Sequence, residues 1–540
     1  MPQNHGLPTP VKPKILSKLL SQHHVPSASY LVLGFTEGFH INNTSFTPTL
    51  RARNLKSCFE HPDQVLSKIN KELQAGRVSG PHDLPPLKDL VVSPIGLHPK
   101  KEPGQFRLIH DLSSPHGSSV NDGIPKDFAT VQYQTVSQAI EAIVEFGPGS
   151  FLAKSDIKSA FRLIPLHPSQ YHLFGFSWQN KYYFDKCLPM GCASSCRIFE
   201  TFSTAIHQIV QDRIPNTIVI HVLDDFLFVS PSYEDCLIAL NQFKHICFLL
   251  GVPLALDKTE GPATSLPFLG IQLDTVLMQA SLPQDKVVRM LEDTRLILSS
   301  KSLTLRSIQS INCLLNFACQ IMAPARAFLR SLFDLTIGVP KQHYHVTIPR
   351  KVKHDVLVWQ LFLSNYNGKS MFLDFRFQSN QTLHLFTDAS SSIGFGGYLD
   401  STWFAGTWEP SLPPLHISIL ELYPIFLALT IWGSRLSNKC IMIRTDNLAV
   451  VHIINSFTSK DPHLILLLRH LVLTCLKHNI FIRSKHISGS KNLTADLLSR
   501  QQVTKAKQVS PQLKDAPERL PASLLLHRLL QDSTPSWLHL

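Results

Sequence analysis

The chain carries acidic residues inside stretches that otherwise predict buried strands. Asp224 and Asp225 stand side by side in HVLDDFLFVS (221–230), and Asp156 interrupts the apolar run FLAKSDIKSAF (151–161). A carboxylate buried without a partner is costly or changes its pKa, so three of them need a reason. If the two strands are neighbours, the carboxylates converge on one point, where Mg²⁺ would find the oxygen ligands it prefers. Two such ions about 4 Å apart can activate a hydroxyl group and stabilise a leaving pyrophosphate.

A solvated surface turn is the alternative explanation for the Asp224–Asp225 pair, because Asp is mostly exposed in proteins. That explanation covers a bare Asp pair. It does not account for acids inside two separate apolar stretches, and we therefore favour a metal site.

A second set of acids occurs in the C-terminal part of the chain. Asp388 ends the strand pattern LFTD, Asp446 ends IRTD, Glu421 lies in the helical stretch LELYP, and Asp496 opens the helical stretch NLTADLLSR. Taken singly, Glu421 is typical of a partly exposed helix acid and Asp496 of a helix-start residue. Their joint order across one predicted domain favours a shared site.

The elements that must position these acids differ between the two sets. Around the first set we predict helices at 61–78, 193–214 and 231–251, strands on either side of a turn at 102–104, and a hairpin turning at 179–181. That order predicts an α+β arrangement on an antiparallel sheet. Residues 276–380 have a mainly helical pattern. Over 381–500 the pattern is three short strands, a long helix, a strand, two helices and a strand, which predicts a separate α/β domain with a mixed sheet.

Composition narrows the class of partner. The 540 residues include 51 Lys and Arg against 39 Asp and Glu, a net charge of +12, which suits a polyanion such as nucleic acid or an anionic membrane. The ten cysteines show no C-x-x-C pair and no zinc spacing, so we expect reduced thiols in an intracellular protein. The N-terminus lacks the apolar core of a signal peptide, and no apolar run of about 18 residues predicts a membrane span. Nucleic acid is the favoured partner.

Four motifs then carry a resemblance to a known family. SDIKSAF, KCLPMGC, VLDDFLF and FLGIQLD follow one another in the order of the reverse transcriptase palm. VSPIGLHPKKEPGQFRLIHDLS, VND and LPMGC are most similar to reverse transcriptases of DIRS-type retrotransposons, whose elements encode a tyrosine recombinase elsewhere. The resemblance runs from about Pro62 to Arg500.

The resemblance implies roles for residues at matching positions. Asp156, Asp224 and Asp225 are then the metal-binding triad, and Lys258 is the residue proposed to protonate pyrophosphate. The nucleotide-binding positions are Lys100, Lys101, Arg107, Phe161 as the gate against a ribose 2′-hydroxyl, Met190 and Gly191. Leu269 and Gly270 match the primer grip. Without the motifs, Phe161 is typical of a core aromatic residue, and the lysines are typical of a solvated surface. Val222 departs from the pattern, because most relatives have Tyr or Phe there.

The order Asp388, Glu421, Asp446, Asp496 resembles ribonuclease H, as does His486 in KHISGSKNLTAD, ten residues before the last acid. In that family a mobile His assists proton transfer or product release, which suits a group titrating near neutral pH. A loop His without a role remains the alternative. The resemblance implies hydrolysis of the RNA strand of a hybrid, with selectivity from the 2′-hydroxyl groups.

The expected architecture is therefore a right-hand polymerase of fingers, palm and thumb followed by an α/β ribonuclease H-like domain. We expect a poorly determined N-terminal lead-in (1–60), fingers and palm (61–275), a helical thumb and connection (276–380), the ribonuclease H-like domain (381–500) and a C-terminal tail (501–540).

The resemblance implies an RNA-directed DNA polymerase with ribonuclease H activity, using two Mg²⁺ ions per site with Mn²⁺ as a substitute. Its partners would be an RNA template, a DNA primer, RNA–DNA hybrid, dNTPs and other element-encoded proteins, in the cytoplasm or nucleus and without a membrane. An inactive or domesticated nucleic-acid-binding protein, and a hydrolase using only the C-terminal acids, remain the alternatives. The second of these leaves the palm motifs unexplained.

Overall fold

The computed structural model describes residues 6–44, 53–100, 104–366, 370–371, 380–410, 412–437, 439–478 and 480–531. The chain divides into two compact units, Met1–Met278 and Gln279–Leu540. None of the helices in these described ranges combines the length and apolar character needed to cross a membrane. All ten cysteines lie in the described ranges, and each is a free thiol.

The first unit combines helices with antiparallel strands. Its helices are α1 (Pro13–Gln22), α2 (Ala28–Glu37), α3 (Lys56–Glu60), α4 (Pro62–Gln74), α5 (Lys126–Ala129), α6 (Val136–Phe146), α7 (Ser195–Gln211) and α8 (Tyr233–Leu250). Its strands are β1 (Val78–His82), β2 (Ile95–Pro99), β3 (Phe106–His110), β4 (Phe151–Ile157), β5 (Gly175–Trp178), β6 (Lys181–Asp185), β7 (Ile218–Val222), β8 (Asp225–Ser230), β9 (Leu254–Ala263), β10 (Ser265–Phe268) and β11 (Ile271–Asp274).

A four-stranded antiparallel sheet of order β7-β8-β4-β9 forms the centre of this unit. Helices α6, α7 and α8 pack against it. The ends of α8 follow from its sequence: the Ser232 hydroxyl accepts the Asp235 backbone N–H at the start, and Gly251 ends the helix in the left-handed region at φ 77°. Strands β1, β6 and β5 form a smaller antiparallel sheet, and β2 pairs with β3 in a hairpin.

The N-terminal residues correct one expectation. Helices α1 and α2 bury Leu16, Leu20, Leu31 and Phe35 in the same core as α7 and α8. The expectation of a poorly determined lead-in is therefore wrong for these helices. The apolar side chains of α1 recur at helical spacing and give one buried face, which anchors the helix against the core.

The second unit begins with helices and ends with an α/β region. Its helices are α9 (Gln284–Ser299), α10 (Leu305–Ala318), α11 (Arg330–Asp334), α12 (Arg350–Tyr366), α13 (Asn380–Leu383), α14 (Ile417–Ile431), α15 (Gly433–Leu436), α16 (Leu448–Ser456), α17 (Pro462–Lys477), α18 (Leu493–Ser499), α19 (Val503–Val509) and α20 (Leu526–Gln531). Its strands are β12 (Gln279–Ser281), β13 (Ser302–Thr304), β14 (His345–Thr347), β15 (Ser370–Met371), β16 (Leu385–Ala389), β17 (Gly394–Leu399), β18 (Thr402–Thr407), β19 (Cys440–Thr445) and β20 (Phe481–His486).

Antiparallel and parallel pairing both occur in the α/β region. Strands β16, β17 and β18 form an antiparallel sheet, β19 pairs with β20 in parallel, and β19 lies beside β16. Helix α14 is apolar all round and buried, as expected for a helix covered on every side, and it packs against β16, β17 and α17.

One buried ion pair joins the helical region to the α/β region within this unit. Arg469 of α17 lies 2.6 Å from Asp355 of α12, measured from Nη2 to Oδ2, and both side chains are buried. The Arg469 Nε also donates to the Ala327 carbonyl at 3.0 Å, and the Ser331 hydroxyl donates to the same Asp355 oxygen. The charge of each partner is thus compensated where water is excluded.

Candidate active sites

The first acid cluster is built by the β4, β7 and β8 strands. Asp156 on β4 lies directly opposite Asp225 on β8 in the antiparallel register. Val222 pairs with Asp225 across the β7–β8 hairpin, so Leu223 and Asp224 form its two-residue turn. The Ile157 backbone N–H donates to the Asp224 carbonyl at 2.9 Å, which fixes the turn against β4. The fold therefore brings the three predicted acids to one edge of the sheet.

Burial and repulsion from neighbouring carboxylates disfavour the charged forms of Asp224 and Asp225. Burial and the Asp156 carboxylate raise the pKa of Asp225 to about 7. Burial, with the Asp156 charge added, also raises the pKa of Asp224. Lys258 is the cation in contact, with its Nζ 2.6 Å from Asp156 Oδ2, and this hydrogen bond raises the pKa of Lys258. The Arg107 charge also acts on Asp224, so two cations oppose three acids and the acids remain in excess.

A cavity of about 190 Å³ in the same unit holds several of the predicted nucleotide-binding residues. Lys100, Arg107 and Met190 line it, and so do Lys68 and Lys71 of α4, which sequence reasoning missed. Lys101 lies outside the described residues. Four of these side chains are cationic, an arrangement that suits a polyphosphate.

Gly191 is fixed by a backbone contact. Its φ is +119°, and a Cβ at this position would lie 1.9 Å from the His110 carbonyl oxygen. The His110 N–H in turn donates to the Met190 carbonyl at 3.0 Å, so the loop lies directly on β3. The resemblance pointed to this glycine, and the close approach gives the physical reason for it.

We expect Gly191→Ala to destabilise the protein by more than about 2 kcal/mol, since main chain and not a flexible side chain must move. Gly117→Ala is the matched control: its φ is +87°, but a Cβ there would meet nothing within 4 Å. The control should lose about 1 kcal/mol. Urea unfolding at constant m-value measures both, and equal losses would contradict the steric argument.

Phe161 follows the β4 strand in a short 3₁₀ helix, Ala160–Leu163. Its ring is half-buried and meets Phe199 of α7 edge-on, with centroids 5.8 Å apart. One face of the ring is thus held by the core. This geometry is compatible with the gate role and with a core aromatic residue, so the gate stays a prediction.

Leu269 and Gly270 form the two-residue turn of the β10–β11 hairpin, where Phe268 pairs with Ile271. Both turn residues have positive φ, 47° and 77°, as a type I′ turn requires. The Lys154 ammonium donates to the Pro267 carbonyl at 3.0 Å and ties this hairpin to β4. The primer-grip role of the hairpin stays a prediction.

The second acid cluster lies in the α/β region. One ligand oxygen from each of Asp388, Glu421 and Asp446 lies within 4.8 Å of the other two. Asp388 lies on β16, Asp446 directly follows β19, and Glu421 comes from α14 beneath them. Burial, followed by the Asp388 and Asp446 charges, raises the pKa of Glu421 to about 9. Burial also raises the pKa of Asp388 to about 6, although the Ser499 hydroxyl donates to its Oδ2 at 2.7 Å.

Asp496 and His486 lie near this cluster with different partners. Asp496 accepts a hydrogen bond from Arg500 Nε at 2.7 Å, one turn along the helix, and stands outside the group of three acids. His486 ends β20 opposite Thr445, the residue before Asp446, and is exposed. A Cβ on Gly489, in the loop after β20, would lie 3.4 Å from Asp446 Oδ2, so this loop borders the site.

Sequence reasoning missed a buried group beside the cavity that Arg107 and Met190 line. Buried Asp185 accepts from Arg162 Nη1 at 2.7 Å and contacts His110 Nδ1 at 3.0 Å. Burial alone would raise the pKa of Asp185, but the Arg162 charge and His110 lower it. Asn121, the second residue of the motif VND, donates a hydrogen bond to the Gly191 carbonyl and accepts one from the Ala193 N–H. An acid ending the aromatic strand KYYFD was the available signal for Asp185.

The carboxylate oxygens of both clusters are suitable ligands for divalent cations. Each gathers carboxylate oxygens, and burial with like charge raises the pKa of Asp225 in the first cluster and of Glu421 in the second. Lys258 contacts Asp156 of the first cluster, whereas Arg500 contacts Asp496, outside the group of three acids. Hard oxygen ligands with uncompensated charge are what Mg²⁺ binds in proteins.

Comparisons with known proteins agree with the first cluster. The family described as "Reverse transcriptase (RNA-dependent DNA polymerase)" matches residues 98–273, which contain Asp156, Asp224 and Asp225. The chain is 24% identical over 371 residues to the "Putative enzymatic polyprotein" of Cassava vein mosaic virus, covering 65% of this chain and 52% of that protein. It is 25% identical over 293 residues to the "Gag-Pro-Pol polyprotein" of Simian retrovirus SRV-1, covering 51% of this chain and 15% of that protein. The chain thus spans about half the length of the first relative and less of the second.

A foamy viral protease–reverse transcriptase, solved in complex with double-stranded DNA, is similar in structure. The TM-score is 0.49 at 16% identity, covering 90% of this chain and 84% of that chain.

Proposed function

We propose, from the reverse transcriptase match over residues 98–273, that the chain is an RNA-directed DNA polymerase that also hydrolyses the RNA of RNA–DNA hybrids. The polymerase activity is proposed from the pairing of Asp156 with Asp225 across β4 and β8. Asp224 lies on the adjoining turn, and all three acids are inside the matched segment. The hydrolase activity is proposed from the three carboxylates of Asp388, Glu421 and Asp446, which each place one oxygen within 4.8 Å of the others.

The proposed architecture is the right-hand polymerase with fingers and palm at 61–275, thumb and connection at 276–380 and a ribonuclease H-like domain at 381–500. The motifs VSPIGLHPKKEPGQFRLIHDLS and LPMGC support a DIRS-type retrotransposon as the source. The proposed partners are an RNA template, a DNA primer and dNTPs, and the positive net charge of +12 suits them.

In the polymerase site, Asp156, Asp224 and Asp225 would hold Mg²⁺, which when bound activates the primer hydroxyl and neutralises phosphate charge. The chain's own groups do the rest. Lys100 and Arg107 bind the triphosphate from the cavity wall, and Met190 and Gly191 support the nucleotide. Lys258 Nζ holds a proton beside Asp156, from which it can reach the departing pyrophosphate.

In the hydrolase site, Asp388, Glu421, Asp446 and Asp496 would hold the ions. Ser499 orients the Asp388 carboxylate through its 2.7 Å hydrogen bond. His486 is exposed beside Asp446 and can carry a proton to or from the cleaved strand. The Arg500 bond to Asp496 must loosen for that carboxylate to join the other three.

The test is Mg²⁺-dependent incorporation of dNTPs on a primed RNA template, run beside cleavage of a labelled RNA–DNA hybrid. Both activities are expected, and both should be lost with EDTA. Binding of hybrid without either activity would favour a domesticated binding protein. Cleavage without incorporation would favour the hydrolase alone.

If Phe161 closes the 2′ side of the nucleotide pocket, Phe161→Ala should raise incorporation of rNTPs relative to dNTPs by about 10²-fold, a typical size for a discriminating pocket contact. The measurement is the ratio of kcat/KM for dNTP and rNTP. Phe199→Leu, which removes the ring behind Phe161 but keeps an apolar side chain, is the control and should change the ratio little. Unchanged discrimination in Phe161→Ala would assign the gate to another residue.

A further inference from the structure

The turn that carries Asp224 has a backbone conformation that its sequence does not favour. Of its two residues, Leu223 has φ +55°, in the left-handed region, and the turn closes where Val222 pairs with Asp225. Hairpin turns with positive φ at the first position usually have Gly there, and a bulky side chain in that region is an outlier. Interactions from outside the turn must therefore hold it.

Glu200 provides such an interaction. This residue lies on the buried face of α7, and its side chain is 10% exposed. Its Oε2 accepts the Leu223 backbone N–H at 2.9 Å, and its Oε1 lies 3.2 Å from Nε2 of His221 on β7. One carboxylate thus binds both the turn and the strand that leads into it.

A second buried imidazole continues the chain of contacts. Nδ1 of His207, about two turns further along α7 than Glu200, lies 2.9 Å from Nδ1 of His221. The His221 backbone N–H donates to Gln134 Oε1 at 2.7 Å, so β7 is held from the loop before α6 as well. With two imidazole nitrogens facing each other, one must carry a proton and the other must accept it. Glu200, His221 and His207 thus form one connected chain of polar contacts beneath the turn.

We infer that Glu200 is a positioning residue for DNA synthesis: it holds the strained Leu223–Asp224 turn so that Asp224 and Asp225 face Asp156. This inference rests on the proposed polymerase function. Glu200 touches none of the proposed substrates, since it binds the turn from the core side. The partners of the Glu200 carboxylate are the Leu223 backbone N–H and the His221 imidazole. Both belong to the β7–β8 hairpin, so the carboxylate binds the hairpin and not a surface Lys or Arg.

The first variant is Glu200→Ala, which leaves the Leu223 N–H without its acceptor. We expect kcat for dNTP incorporation to fall by about 10²-fold, the cost of a displacement of about 1 Å at reacting groups, while KM for dNTP changes less than about threefold. Glu200→Gln should restore kcat to within about fivefold of wild type. Its amide oxygen can accept the Leu223 N–H, and its NH₂ can donate to the other tautomer of His221.

Hydrogen exchange of the Leu223 amide gives a readout that does not depend on activity. It should be slow in wild type, fast in Glu200→Ala and slow again in Glu200→Gln. If the wild-type protein incorporates no dNTP, the proposed function fails, whereas this exchange pattern would still show that Glu200 holds the turn.

Thr217→Val is the matched control for a purely structural effect. Thr217 Oγ1 lies 2.7 Å from Ser230 Oγ, both buried, at the opposite end of the same β7–β8 hairpin. This variant should lose stability without a change in kcat. Equal losses of kcat in Thr217→Val and Glu200→Ala at matched stability would overturn the inference. So would a Glu200→Gln protein that folds but is as inactive as the Ala variant, or a Glu200→Ala protein with wild-type kcat.

Discussion

Asp224→Asn and Asp156→Asn should each lower primer extension on an RNA template by about 10³-fold or more. Each variant removes a ligand for ions that supply several kcal/mol of transition-state stabilisation, at about 1.4 kcal/mol per tenfold in rate. The fold should survive. Burial and the Asp156 charge raise the pKa of Asp224, so the folded state disfavours the ionised form. In EDTA at pH 8, the free energy of unfolding of Asp224→Asn should therefore equal or exceed that of wild type.

The pH dependence of that stability has a definite sign. A carboxyl whose pKa is raised on folding destabilises the folded state as pH rises through the interval between its unfolded and folded values. For Asp225 this interval runs from its ordinary value of 3.8 to about 7. Above that interval the repulsive contribution is fully present, which is why pH 8 is the condition for the comparison.

Asp257→Asn is the matched control for the polymerase variants. Asp257 is an exposed acid on β9, next to Lys258, and its replacement makes the same change of charge on a neighbouring strand. It should retain extension within about twofold. Wild-type extension by Asp224→Asn, or an equal loss in Asp257→Asn, would refute the assignment of the first cluster.

Asp446→Asn should eliminate cleavage of RNA–DNA hybrid, by about 10²-fold or more, and spare most DNA synthesis. The reason is that Asp446 belongs to the group of three acids in the second unit, and the polymerase acids belong to the first. Asp224→Asn should show the reverse pattern. Each cleavage assay is run on protein free of host nuclease, with Asp515→Asn as a control, since that acid is fully exposed.

Metal-dependent stability gives a second measurement on the same variant. Without metal, Asp446→Asn should be no less stable than wild type, because one of three mutually repelling acids becomes neutral. With Mg²⁺, the rise in Tm should be smaller than in wild type. A ligand that binds only the folded state stabilises it by about 2.7 kcal/mol at 100 times its Kd. Hybrid cleavage at the wild-type rate, or an undiminished rise in Tm, would contradict the second site.

The sequence allowed the elements and the acids to be predicted, because both leave local patterns. Asp156 and Asp224 interrupt apolar stretches of the sequence, although the stretch around Asp224 folds as a hairpin and not as one strand. The hairpin turn at Gln179 and Asn180 lies where the pattern placed it, between β5 and β6. Contacts between distant segments left no such pattern. The Leu223 acceptor on Glu200 is 23 residues away, and the Asp185 partners lie on β3 and in the 3₁₀ helix after β4. The acid at the end of KYYFD marks Asp185, but nothing in the local sequence identifies its partners or distinguishes Glu200 from an ordinary helix residue.

The N-terminal helices show a different reason for a wrong expectation. The stretch PKILSKLLSQ was expected to belong to a poorly determined lead-in, whereas Pro13 is the first residue of α1, a position where a missing N–H costs nothing. The burial of Leu16 and Leu20 then depends on α7 and α8, which lie far along the chain. Tertiary packing decided the structure of this segment, and local composition could not reveal it.

The Arg469–Asp355 pair has a consequence for where this chain can be cut. A fragment beginning near residue 381 would keep Arg469 and lose Asp355, Ala327 and Ser331, so the part of α17 that these residues cover, Arg469 included, would be exposed to solvent. Within the intact unit, removing one partner of such a pair costs about 3–5 kcal/mol because the other charge stays buried, and this is a large share of the stability of a small domain. The domain boundary expected near residue 380 therefore separates the helical region from the region with the second acid cluster, but we do not expect these regions to unfold independently. Residues 279–531 should melt in a single transition.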